Sequence, residues 1–293
     1  MSIEKCSDIF GDITVYPPKN GKQRVEIYIR LQEKVEGMQT GIGIDGSASM
    51  RKIFGDTIPK FLRKPEDNVM QKVIRRLCSY ACEYSGDGMV LPIYWATGAG
   101  GKEVETLGRL DTVAIESKNF EGPKKWGTGT ALLPPLEYFL TELKDAPWLV
   151  LLFVTDGVIG DLEAVIQFSL KVGQEMLEGK RGKCKFILVG CGEEVDEEQI
   201  EKLDNMFDGT PLEGKIDLWD GKLASQMENL SEIWDEVDFG VEIPGSIRII
   251  DDSNREVLSC LDGFPQRLEF SVTEGTKSVK IDIVGNTFEQ ILQ

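Results

Sequence analysis

Leu149-Val150-Leu151-Leu152-Phe153-Val154 runs straight into Thr155-Asp156-Gly157. An apolar stretch this short cannot span a bilayer. Its unbroken apolar character suits a strand buried on both faces of a parallel sheet, and the acid and glycine after it mark a loop at the strand's carboxyl end. Working outward, Met38 to Ile44 is a second apolar run and ends on Asp45-Gly46-Ser47-Ala48-Ser49. Met89 to Trp95 is a third, Lys185 to Val189 a fourth that closes on Gly190-Cys191-Gly192, and Ile216 to Trp219 a short fifth. Val104 to Ile115 reads as a strand pair.

Helical spacing separates these runs. Over residues 66–84, Val69, Val73, Ile74, Leu77, Cys78 and Ala81 recur at intervals of three and four. Further helices are expected over Ala131–Leu143, Asp161–Glu178, Asp196–Phe207 and Lys222–Val237. Pro134 and Pro135 fall in the first turn of one, where proline is tolerated, and Asp161 is placed as the N-cap of the next. Alternation of strand and helix with short connections predicts an α/β fold with a doubly wound, mostly parallel central sheet.

The two ends of the chain follow another rhythm. Asp12–Tyr16 and Arg24–Leu31 flank Pro17-Pro18-Lys19-Asn20-Gly21, a turn signal, so a β-hairpin is expected. After Phe239 come four short alternating runs, Ser246–Ile250, Glu256–Cys260, Arg267–Val272 and Lys277–Val284. Four short strands bury little by themselves. Residues 1–34 and 240–293 are therefore assigned to one small all-β module, into which an α/β domain of residues 35–239 is inserted.

Charge and composition exclude whole classes of chemistry. Among 293 residues, 33 Lys and Arg face 50 Asp and Glu, a formal charge of −17. That argues against nucleic acid or an anionic membrane as a partner. The chain has no histidine, which removes Ser-His and Cys-His nucleophile pairs and every His-ligated zinc site. Cys6, Cys78, Cys82, Cys184, Cys191 and Cys260 form no CxxC pair and read as buried free thiols. Met1 to Asp12 lacks a signal-peptide apolar core, so a cytoplasmic location is expected.

Three loops carry the candidate chemistry. Asp45-x-Ser47-x-Ser49 leaves the first central strand, and Thr155-Asp156-Gly157 leaves the second. Gly127-Thr128-Gly129-Thr130-Ala131-Leu132 opens a helix and can bring a hydroxyl and backbone N–H groups to the same edge. In open α/β sheets that edge is where ligands bind. Oxygen ligands of low total charge suit a hard divalent cation, Mg²⁺ by size and abundance, with Mn²⁺ or Ca²⁺ as alternatives. Gly98-Ala99-Gly100-Gly101 lacks the lysine of a phosphate loop and reads as a flexible turn. Trp126 stands just before the glycine-rich loop and is a candidate rim residue.

The combination of Asp45-x-Ser47-x-Ser49, then Thr130, then Asp156 resembles the von Willebrand factor A domain, with its Rossmann-like fold and metal-ion-dependent adhesion site. The resemblance covers roughly residues 36–238. It implies that Ser47, Ser49 and Thr130 bind the cation through hydroxyls, while Asp45 and Asp156 bind directly or through water. Thr128 is the competing threonine. It implies a non-enzymatic module in a cytosolic bacterial assembly, in which the metal takes a Glu or Asp from a protein partner. A MoxR-type AAA+ ATPase is one such partner, and a tellurite-resistance system is another setting in which such domains occur. Two other readings stand beside it. One is a scaffold with a vestigial metal site. The other is a Mg²⁺-dependent phosphatase with Asp45 as phosphoryl acceptor, which lacks the second carboxylate, because Ser47 stands where that general acid belongs.

Overall fold

The computed structural model describes residues 10–29, 37–59, 61–191, 195–224, 242–243, 245–283 and 286–292. The chain divides into two compact units, Glu33–Leu230 and a discontinuous one of Met1–Gln32 with Ser231–Gln293. The division points read from the sequence, near residues 34 and 239, lie outside the described residues.

The chain opens with β1 (Phe10–Val15) and β2 (Lys22–Ile29). The large unit follows with β3 (Met38–Asp45), α1 (Val69–Tyr84), β4 (Val90–Thr97), β5 (Glu103–Thr106), α2 (Thr112–Ser117), α3 (Leu133–Glu142), β6 (Trp148–Thr155), α4 (Leu162–Leu177), β7 (Lys183–Gly190), α5 (Glu197–Asp204) and β8 (Trp219–Leu223). The chain then returns to short strands: β9 (Glu242–Ile243), β10 (Ile247–Asp251), β11 (Glu256–Cys260), β12 (Phe264–Pro265), β13 (Arg267–Thr273), β14 (Ser278–Ile283) and β15 (Asn286–Ile291).

In the large unit six strands pair in the order β5-β4-β3-β6-β7-β8. β3, β4, β6, β7 and β8 run parallel, and β5 is antiparallel to β4. β6 is buried along nearly its whole length between β3 and β7, which is why its sequence shows no alternation. One core gathers Leu91, Ile93, Leu151, Phe153, Phe186 and Leu188 of the strands with Leu136 and Phe139 of α3 and Val165 of α4. Gly41 makes room for that layer, since a Cβ there would lie 2.6 Å from the Phe139 ring. α1 turns Met70, Ile74, Leu77, Cys78 and Ala81 inward, and the Asn68 side chain caps it by accepting from Gln71 N–H at 3.0 Å.

The small unit is all β. β1, β2 and β13 form one sheet, and β11, β10, β14 and β15 another. Leu268, Phe270 and Val272 of β13 join Val25 and Ile27 of β2 and Ile249 and Ile281 of the second sheet in a separate core. Alternation along each strand puts these residues inside and their charged neighbours outside.

The expected fold class is corrected. Among the described residues strands hold more of the chain than helices do, they fall into four sheets, and the six-stranded sheet is mixed. The chain as a whole is mostly β, not a doubly wound, mostly parallel α/β protein. Two further details differ from the sequence expectation. The region 104–115 gives one strand and a helix, because the Asp111 carboxylate accepts from Ala114 N–H at 2.8 Å and starts α2. The last seven strands include β15, whose alternation is too polar to stand out. β8 begins at Trp219 instead of ending there, and of the helix expected over 222–237, residues 225–237 lie outside the described residues. Cys78, Cys82 and Cys184 are buried free thiols, Cys191 and Cys260 are half-buried, and Cys6 lies outside the described residues.

Candidate functional site

Strand register brings the first two loops together. Ile44 lies beside Val154 across the β3–β6 pair, so Asp45 and Thr155 leave the sheet in adjacent positions. Asp45 is fully buried. Its Oδ1 accepts from Ser47 N–H at 2.7 Å and its Oδ2 from the Thr155 hydroxyl at 2.6 Å. Ser49 donates its hydroxyl to Asp156 Oδ1 at 2.8 Å. The Ser47 and Ser49 hydroxyls are 2.9 Å apart. A serine hydroxyl has one proton, so with Ser49 donating to Asp156, Ser47 is the donor to Ser49. Ser49 thus points its proton at the Asp156 carboxylate, and Ser47 points its own at the Ser49 oxygen.

The third loop is stitched on by backbone. Gly46 N–H bonds Trp95 C=O at 2.7 Å, Gly127 N–H bonds Gly46 C=O at 2.8 Å, and Ala48 N–H bonds Gly127 C=O at 3.0 Å. Thr130 follows, and its hydroxyl oxygen lies 3.9 Å from where a Cβ on Gly157 would stand. Gly160 N–H also holds the Thr130 carbonyl at 2.7 Å. Thr128 is turned elsewhere, because its hydroxyl accepts from Gly100 N–H at 2.9 Å. Asp45, Ser47, Ser49, Thr130 and Asp156 therefore stand on loops joined at one sheet edge.

Gly98–Gly101, read from the sequence as a flexible turn, is a buttress. Gly98, Gly100 and Gly101 adopt φ near +65 to +68°, and a Cβ on Gly101 would lie 1.8 Å from Gly129 C=O. Only glycine allows that backbone conformation and that approach together. Trp126 packs edge-on against Phe54 at 5.4 Å and is partly exposed.

Burial pushes the Asp45 carboxyl up to about 6, against the hydrogen bonds from Thr155 and Ser47, and the nearby Asp156 charge adds to the rise. The Cys191 thiol is pushed up to about 12 by burial and then by Asp156 and Asp45. The donor set is hard oxygen throughout, with Asp45, Ser47 and Asp156 buried and Ser49 open to solvent. A carboxylate has about four lone-pair sites, so the existing bonds leave room for a cation, and these residues fit one of the Mg²⁺ type. Among the described residues no group of three or more His, Cys, Asp or Glu is arranged to hold a metal ion by itself. A cation here would lean on neutral hydroxyls.

Sequence reading passed over two residues of this site. Thr155 anchors Asp45, and its position beside Asp156 was the available signal. Asp161 stands at the N-cap of α4, as expected, but makes no side-chain cap there and instead accepts from Leu132 and Leu133 N–H at 2.7 and 3.0 Å.

No family model matches the chain, and no curated protein matches it. Among solved structures, the chain is similar to the pilus adhesin SpaC from Lactobacillus rhamnosus GG in an open conformation, with a TM-score of 0.41 and 8% identity over 94% of this chain and 46% of that one. It is also similar to a mutant of the PilB minor pilin from Streptococcus sanguinis, with a TM-score of 0.40 and 9% identity over 76% of this chain and 75% of that one. A second form of SpaC gives a TM-score of 0.37 at 9% identity, covering 95% and 48%. The chain spans about half the length of the adhesin.

These findings correct the family reading. No von Willebrand factor A model matches the chain, and a pilus adhesin and a minor pilin are among the solved structures similar to it. The function taken from the family is withdrawn with it: metal-dependent capture of a partner's acid at an adhesion site, and association with AAA+ ATPases. The cytoplasmic placement is withdrawn as well. What is shown of the chain in this respect is narrower: among the described residues no helix is long and apolar enough to cross a membrane. The physical reason the motif misleads is local. Asp, Ser and Thr side chains at strand exits satisfy one another by hydrogen bonding, as they do here, so their spacing alone does not require a family.

Proposed function

We propose that the chain is non-catalytic and that the hydroxyl–carboxylate cluster on the carboxyl edge of the six-stranded sheet is a cation site. The cofactor proposed is one hard divalent cation, Mg²⁺ by size and abundance, with Mn²⁺ or Ca²⁺ as alternatives. Asp45, Ser47, Ser49, Thr130 and Asp156 would hold it. The observation that carries this reading is the directed chain Ser47 to Ser49 to Asp156, which gathers oxygen acceptors beside two acids, one of them fully buried. A divalent charge there offsets the mutual repulsion of the carboxylates.

A protein is the proposed class of partner. The acidic balance of the chain disfavours nucleic acid and anionic membrane, and Val158, two residues beyond Asp156, is 52% exposed and offers apolar contact at the loop. The non-catalytic reading is supported by the lack of histidine in the chain and by the Ser49 and Thr155 hydroxyls, whose protons are already given to Asp156 and Asp45. Calorimetric titration of Mg²⁺ and of Mn²⁺ tests it. Wild type is expected to give saturable heat, and Ser47→Ala/Ser49→Ala none. Equal heats in the two proteins, or no heat in wild type, overturn it.

A further inference from the structure

Asp161 occupies the position that should cap α4, yet its carboxylate serves another helix. Oδ1 accepts from Leu132 N–H at 2.7 Å and Oδ2 from Leu133 N–H at 3.0 Å. These amides open α3, whose own N-cap residue, Leu132, has no side-chain acceptor to offer. The first turn of a helix leaves orphan donors and a positive dipole end, and a carboxylate satisfies both. Thr130 stands two residues before Leu132. The residue before Asp161, Gly160, bonds the Thr130 carbonyl at 2.7 Å. The one before that, Ile159, is bracketed by the Gln199 amide of α5, with Ile159 N–H donating to Oε1 at 2.7 Å and Nε2–H donating to the Ile159 carbonyl at 3.2 Å. Residues 159–161 thus hold Thr130–Leu133 at several points and are themselves fixed to α5.

We propose that Asp161 is a positioning residue of the candidate site: through Leu132 and Leu133 it sets the Thr130 hydroxyl against the Asp156–Gly157 loop. The inference rests on the cation reading and adds to it a residue outside the ligand set. Thr130 is the ligand that depends on this clamp, while Ser47 and Ser49 reach the site from the other loop.

The test uses Tb³⁺ as a luminescent cation, with wild type, Asp161→Ala, Asp161→Asn, Thr130→Ala and the Asp161→Ala/Thr130→Ala double variant. Hydrogen exchange of the metal-free proteins reads the clamp alone, and Asp161→Ala should speed exchange at Leu132 and Leu133. Tb³⁺ affinity should fall about tenfold in Asp161→Ala, the size of loss expected when support of a ligand is removed. Luminescence lifetimes in H₂O and D₂O should show the extra bound water seen in Thr130→Ala. The double variant should bind no more weakly than Thr130→Ala, since one residue acts through the other. Asp161→Asn, which keeps one acceptor oxygen, should fall between wild type and Asp161→Ala and stands in if the alanine variant fails to fold. Wild-type affinity in a variant whose amides have lost protection overturns the proposal, as do additive losses in the double variant. Wild type that takes up no Tb³⁺ overturns the cation reading itself, and this inference with it, whatever the exchange data show of the clamp.

Discussion

At Asp45 both carboxylate oxygens already accept a hydrogen bond, and yet burial outweighs them and raises the group to about 6. The sign of the consequence follows. Unfolded, the group titrates near 3.8. Its contribution to stability is whole below that value and is lost as pH rises through 6, because ionisation is harder in the fold. The loss is about 3 kcal/mol by linkage. In chelator, denaturant unfolding should therefore show Asp45→Asn gaining on wild type by about that amount between pH 4 and pH 7. A saturating divalent cation should erase the gain if it binds beside Asp45. Thr155→Val leaves Asp45 Oδ2 without its partner and should cost about 1–3 kcal/mol in the same assay, with Thr155→Ser close to wild type.

Elements are placed by how closely backbones approach. The 98–101 turn and the 127–130 loop touch where Gly101 faces Gly129 C=O, and a Cβ at Gly101 would stand 1.8 Å from that oxygen. Gly100 shares the left-handed conformation, at φ +68°, but faces open space. Gly100→Ala should cost only the backbone term, about 1–2 kcal/mol. Gly101→Ala should cost clearly more and loosen the Thr130 loop, read as a larger fall in denaturation midpoint and faster exchange at Thr128 and Ala131. At this scale much was readable in advance. α1, α3, α4 and β6 stand where periodicity puts them, because each buries a face that its own sequence marks. The 104–115 region was misread because one side-chain bond, Asp111 to Ala114, decides between strand and helix. Asp161 stands at the N-cap of α4 where the sequence places it, but its side chain reaches the other helix, α3.

Across the whole molecule two separate cores stand in two units. Ile249 is fully buried in the β unit's core. Ile249→Ala should cost about 2–5 kcal/mol there, seen as faster exchange over residues 245–283, while cation titration at the Asp45 loop stays unchanged. A change in that titration would join the two units energetically. The chain's own order of residues determined the apolar strand at Leu149–Val154, the alternating strands of the termini and the polar loops at Asp45, Thr130 and Asp156, because burial of a face is written in the spacing of neighbours. Only the tertiary structure decided that Thr155 holds Asp45, that Asp161 caps α3 and that Gly98–Gly101 is a buttress. Those partners lie from 28 to 110 residues apart, and strand register and backbone approach bring them together, which no local pattern encodes.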